Sequence, residues 1–181
     1  AAYVALTLAY STGLKRVPLV DGVVLATLFT FRLALGVVAS DVPPSPWLFV
    51  FSMFIFTSLS YAKRYTELRR VIEYKGSSIA GRSYRVDDAP LVLALGIASG
   101  LAAVMITIFY IIDDAFQQSF YGRTEWLWGF PPLVFLLICR LWLISVRGEM
   151  ADDPMDFALR DKQCRVVAGM LLVCFFFAWL G

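Results

Sequence analysis

The chain has 181 residues, of which 60% are hydrophobic and 17% charged, with a net charge of +2 and a mean hydropathy of +0.73. A water-soluble domain of this length has too little interior for so much apolar surface, which leaves lipid as the solvent. The absence of histidine excludes the commonest acid–base residue, three cysteines without metal-type spacing exclude a disulfide framework or zinc site, and the near-neutral total gives no sign of a nucleic-acid partner.

The sequence opens on "AAYVALTLAY", already apolar, with neither the basic start nor the cleavage site of a signal peptide. Residues 1–10 read as the tail of a helix begun earlier, a partial membrane span. Lys15 and Arg16 follow it. A complete span is expected over residues 17–39, with Asp21 near its start and Arg32 deep inside. Eleven residues at ~100° each return these two to nearly one helical face, ~16 Å apart along the axis. An arginine at that depth costs at least ~2.5 kcal/mol on insertion scales, so Arg32 should face protein or water rather than lipid. Asp21 and Arg32 then form either a buried ion pair or the wall of a polar cavity.

The cation-free loop "SDVPPSP" leads to a short span over 46–62, which stops on "SYAKRYTELRR". Lys63 and Arg64, with Glu67 beside them, either anchor this helix end among anionic headgroups or serve a ligand. The expected loop from 63 to 89 carries Lys63, Arg64, Arg69, Arg70, Lys75, Arg82 and Arg85 among four carboxylates. Its "KGSSIAGRSYRVDD" suits a flexible segment able to fold over a phosphorylated ligand, although it holds no P-loop or dinucleotide fingerprint. The span over 90–112 contains Gly96, Gly100 and Ala103 on one side, a close-packing pattern. After the loop "DDAFQQSFYGRTE" comes a span over 126–146, in which Pro131-Pro132 should introduce a kink and Arg140 should reach toward the headgroups. In "GEMADDPMDFALRDKQ", Asp153 before Pro154 and Asp156 in the following turn mark the start of a short interfacial helix. A last span is expected over 165–181.

Basic and cation-poor loops therefore alternate, which places the basic loops in the cytoplasm. Trp47, Trp126 and Trp128 fall at the outer boundaries and Tyr61 and Trp142 near the inner ones. The expected fold is all-α: a polytopic membrane helical bundle of five full spans plus one partial span.

Several strings taken jointly resemble the UbiA superfamily of intramembrane prenyltransferases. "YSTGLKRVPLVDGVVLATLFTFRLALG" is similar to a family segment through Tyr10, Lys15, Arg16, Asp21, Arg32 and Gly36. "AKRYTEL", "AGRSYRVDDAPLVLALGIASG" and "RGEMADDPMDFALRD" resemble a bacterial branch that includes polyprenyl-phosphate phosphoribosyltransferases. The resemblance implies that residues 1–181 are the C-terminal part of one UbiA-like domain, in a bacterial inner membrane with its active site facing the cytoplasm. It implies Mg²⁺-dependent group transfer from a diphosphate donor involving a polyprenyl lipid substrate. It further implies phosphate binding by Tyr10, Lys15, Arg16, Lys63 and Arg64, and an orienting or metal-assisting part for Glu67. Asp21 and Arg32 would line the cavity, while Asp153 and Asp161 match a late signature without an assigned role. Two departures stand out. The first acidic motif of the family, N-D-x-x-D, is absent, and the second is replaced by Lys63-Arg64-x-x-Glu67. The piece by itself is therefore expected to be inactive. A fragment of a transporter or channel, with Asp21 and Arg32 along a solute path, is the alternative of a different class.

Overall fold

The computed structural model describes residues 2–41, 43–74, 76–79, 82–116, 121–150 and 153–180, with the exception of the Asp114 side chain. Lys75, part of the expected ligand-covering loop, lies outside these residues, as do both ends of the chain. Seven α-helices follow in order: α1 Ala2–Thr12, α2 Val20–Ala39, α3 Pro46–Glu73, α4 Ala89–Tyr110, α5 Phe130–Arg147, α6 Pro154–Arg160 and α7 Lys162–Leu180. Among the described residues there is no strand, and one isolated bridge joins Ser78 and Arg85.

Four helical segments are long and apolar enough to cross a membrane: Val20–Ala39, Val86–Asp113, Thr124–Arg147 and Lys162–Leu180. The chain is an integral membrane protein. The remaining long helix, α3, has a different character. It packs against α2, α4, α5 and α6, and it buries hydroxyls as well as apolar groups, including Ser52, Thr57, Ser58 and Ser60. The hydroxyls of Ser52, Thr57 and Ser58 are bonded within the bundle. Ser58 Oγ donates to the Gly96 carbonyl at 2.7 Å and accepts from Trp142 Nε1 at 3.1 Å, and Thr57 bonds back to Met53. A hydroxyl bonded in this way avoids the cost of facing hydrocarbon alone.

The small residues of α4 make this contact possible. A Cβ at Gly96 would lie 2.2 Å from the Trp142 ring, and one at Gly100 would lie 2.7 Å from Ile138. Gly96, Gly100 and Ala103 are all buried, so the expected packing stripe is the seat of α3 and α5 on α4.

Two local expectations change. The chain does not become a loop at Lys63: α3 stays helical to Glu73, and at ~1.5 Å per residue its 28 residues span ~42 Å, more than the ~30 Å of hydrocarbon. Nor do Pro131 and Pro132 kink a helix. They occupy the first turn of α5, where a missing N–H costs nothing, and a 3₁₀ segment Thr124–Gly129 precedes them. The π-helical turn Ile111–Ala115 and the 3₁₀ segment pack with Ala178 of α7 in a small second core. Near that end lies an apolar cavity of about 520 Å³, bounded by Trp47, Phe51 and Phe130 among others. The cation-rich ends of α3 and α5 lie at the other end of the bundle.

Candidate functional site

The start of α2 is shaped by a turn that sequence patterning does not announce. Leu19 has φ 67° and ψ −42°, and the Val20 N–H bonds to the Pro18 carbonyl at 2.8 Å, the geometry of a γ-turn with positive φ. Such a conformation in a branched residue costs on the order of 1–3 kcal/mol and needs surrounding support. Two tyrosines supply it. Tyr84 Oη accepts from Leu19 N–H at 2.7 Å, and Tyr61 Oη donates to the Leu19 carbonyl at 3.1 Å. Gly22 makes room for the Tyr61 ring, which a Cβ there would meet at 2.6 Å.

The turn delivers Asp21, fully buried, to a polar cluster. Tyr84 donates to one carboxylate oxygen of Asp21. The other oxygen accepts from Arg82 at 2.9 Å and lies 3.7 Å from Arg64 Nε. Arg64 is 1% exposed, and its Nη1 is bonded to Glu67 one turn on. Its Nε has no hydrogen-bond partner among the described residues. Arg82 also reaches Tyr10 Oη at 3.4 Å and Glu67 at 3.9 Å. Partial burial by itself would lower the Arg82 pKa, but the Tyr10 hydrogen bond and the charges of Glu67 and Asp21 prevail and raise it. Burial, followed by the bond to Asp21, pushes the Tyr84 phenol well above its ordinary value, so it stays a donor.

Above this cluster is a cavity of about 220 Å³. Its lining combines the polar Tyr10, Lys63, Arg64, Arg82 and Asp153 with the apolar Leu25, Phe29, Phe56 and Leu59. Lys63 faces Asp153 at 3.9 Å, both partly exposed. Asp153 is also the N-cap of α6, accepting from Met155 N–H at 3.0 Å, so the short helix expected there is present. The three cations of the cavity are matched by three carboxylates, Asp21, Glu67 and Asp153.

The other candidates lie elsewhere. Lys15 and Arg16 occupy a 3₁₀ turn between α1 and α2 and are not among the cavity's lining residues. Arg32 donates to Tyr3 Oη at 2.9 Å and lies over the Tyr3 and Phe29 rings, behind the cavity wall that Phe29 forms. It makes no pair with Asp21 among the described residues. Arg140 pairs with Asp161 at 2.9 Å instead of reaching outward, and Asp161 also accepts from Cys164 N–H, capping α7. The Arg140 hydrogen bond holds the Asp161 carboxyl down at about 2. Both late carboxylates thus have structural partners.

Arg82 and Tyr84 are the residues that the sequence does not single out. Nothing separates Arg82 from the other loop cations until Ile79 and Tyr84 are seen buried in the main core, with Ile79 N–H bonded to the Tyr84 carbonyl. That anchorage, rather than flexibility, carries Arg82 over Asp21. As for a metal, no cluster of three or more carboxylate or cysteine ligands occurs among the described residues. Asp21 and Glu67 already hold arginines. These residues do not fit a resident Mg²⁺.

No family model matches the chain. It is 40% identical over 176 residues to the uncharacterized protein y4nM of Sinorhizobium fredii, covering 97% of this chain and 34% of that one. It is 27% identical over 185 residues to the nodulation protein NoeC of Azorhizobium caulinodans, covering all of this chain and 56% of that one. It is 25% identical over 194 residues to the decaprenyl-phosphate phosphoribosyltransferase of Mycolicibacterium smegmatis, covering all of this chain and 55% of the enzyme. The chain spans between a third and just over half the length of these curated relatives. The matches support a relation to the UbiA superfamily.

Proposed function

We propose that the chain is part of an integral membrane transferase of the UbiA type, moving a group from a diphosphate donor in a reaction that involves a polyprenyl substrate. The specific reading is phosphoribosyl transfer to a polyprenyl phosphate at the cytoplasmic face of a bacterial inner membrane. The observation that carries it is the cavity lined jointly by Tyr10, Lys63, Arg64 and Arg82 and by the apolar Leu25, Phe29, Phe56 and Leu59. At about 220 Å³ it is smaller than a typical whole-ligand site, and it suits a phosphate head whose tail continues along the helices. The transporter reading lacks comparable support, since the decaprenyl-phosphate relatives are transferases.

In this reading Lys63 and Arg82 hold phosphate oxygens, and Tyr10 donates to them. The lipid phosphate oxygen so held forms a bond to the anomeric carbon of the donor as that carbon's bond to diphosphate breaks and the diphosphate leaves. Fixed cations orient the phosphate without having to reorganise. Arg64 is too deeply buried to be a mobile ligand and acts as the rigid floor, with its unpartnered Nε beside Asp21. Lys15 and Arg16, on their 3₁₀ turn, are proposed as an outer ring that attracts the anionic head. Mg²⁺ dependence belongs to the proposal through the resemblance only, and no step is assigned to it.

The test uses the protein expressed from its complete coding sequence, in vesicles containing polyprenyl phosphate, with Mg²⁺ and phosphoribosyl diphosphate. Diphosphate release and a new lipid product are expected, and Lys63→Ala with Arg82→Gln should lower the rate on the order of 100-fold. The 181-residue piece by itself should not turn over. No release from a folded, inserted protein would refute the reading.

A further inference from the structure

A second basic cluster lies further along α3. Arg69 and Arg70 follow Arg64 by five and six residues, which carries them ~8–9 Å along the axis and onto another face. Together with Arg147 at the end of α5 they line a pocket of about 370 Å³ that has no lining residue in common with the Lys63 cavity.

The end of α5 builds this pocket. Gly148 has φ 74°, its N–H bonds to the Ser145 carbonyl at 3.2 Å, and the Glu149 N–H bonds to the Ile144 carbonyl at 3.2 Å. This is a Schellman cap, which needs the left-handed conformation that glycine adopts without penalty. The cap turns Met150 back into the core beside Thr66 and Ser145, and the Met150 carbonyl accepts from Arg70 Nη2 at 3.3 Å. Arg147, the last residue of α5, thereby shares a pocket with the end of α3.

The ordinary role for cations at helix C-termini is to bond the last carbonyls. Here backbone amides take part of that role, in α5 through Gly148 and Glu149 and in α3 through Tyr74 and Gly76. Among the described residues, the exposed side chains of Arg69 and Arg147 form neither an ion pair nor a hydrogen bond. The guanidinium groups of Arg69 and Arg147 therefore share one pocket in which Glu73 is the one carboxylate among the described lining residues.

We propose that this pocket is a second anion site, binding a phosphate group through Arg69 and Arg147. Planar guanidinium forks match phosphate oxygens. Arg147 ends an apolar span, which sets the pocket at headgroup level, so the phosphate belongs either to an anionic phospholipid or to a soluble phosphate compound arriving at the same rim. The assignment stands independently of the transferase reading.

The test measures binding of short-chain phosphatidylglycerol, phosphatidylcholine and inorganic pyrophosphate to the purified, complete protein in neutral detergent. Phosphatidylglycerol binding that pyrophosphate does not displace identifies a lipid headgroup. Displacement by pyrophosphate identifies a soluble phosphate. In either case Arg69→Gln and Arg147→Gln should each weaken binding on the order of tenfold. Glu73→Gln should tighten it, a gain that misfolding cannot imitate. Equal binding of phosphatidylcholine and phosphatidylglycerol with no pyrophosphate binding, or affinities untouched by all three substitutions, would overturn the site.

Discussion

The two basic regions of α3 lie within two turns of each other yet are built on opposite principles. In the Lys63 cavity every cation has a carboxylate: Lys63 has Asp153, while Arg64 and Arg82 share Asp21 and Glu67. In the Arg147 pocket, Arg69 and Arg147 have no ion-pair partner, and Glu73 is the one carboxylate among the described lining residues. Burial explains the difference. Arg64 and Asp21 are removed from solvent, where an unpaired charge would cost several kcal/mol, whereas Arg69 and Arg147 stay hydrated and need no partner. A protein can leave a cation ready for a ligand cheaply at its rim. Inside, it has to neutralise the cation and let the ligand exchange for a carboxylate. Asp153, the most exposed carboxylate of the three, is the one such an exchange would displace.

The contrast can be broken most forcefully at Asp21. Asp21→Ala strands Arg64 in the core and releases Tyr84 and Arg82, and should lower stability by about 3–5 kcal/mol in reversible denaturation from detergent. A loss below about 1 kcal/mol would mean the cluster is hydrated and the distinction false. Tyr84→Phe removes one support of the Leu19 turn and one partner of Asp21 at once, for an expected loss of about 1–3 kcal/mol.

Asp161 offers a pH test away from both regions. Its carboxyl is held at about 2 in the folded protein, below its ordinary value near 3.8, chiefly by Arg140. The stabilisation is therefore complete above the ordinary value and is lost as pH falls from there through about 2. Thermal unfolding between pH 5 and 2 should show this dependence, and Asp161→Asn should flatten it. The smallest effect belongs to the rim: Arg69→Gln and Arg147→Gln should each change stability by no more than ~0.5 kcal/mol, as surface substitutions do. A larger loss would mean that these arginines already serve the fold.

Composition determined the solvent of this protein, and the apolar runs determined four of its membrane-length helices, because periodic burial in lipid is written residue by residue. The Gly96 and Gly100 stripe and the Asp153 cap were equally legible, being local in sequence. Lys63, Arg64 and Glu67 stood out as charges after a greasy run, and Tyr10 through a motif. Their meeting with Arg82 did not, since it depends on Ile79 and Tyr84 packing into a core distant in sequence and on a γ-turn at Leu19. The pairing of Arg140 with Asp161, the separation of Arg32 from Asp21 and the pocket shared by Arg147 and Arg69 were likewise decided only by how the helices dock. Patterning reports which face of a helix avoids water. Which charge on another helix it meets is set by packing angles and caps, which no single segment encodes.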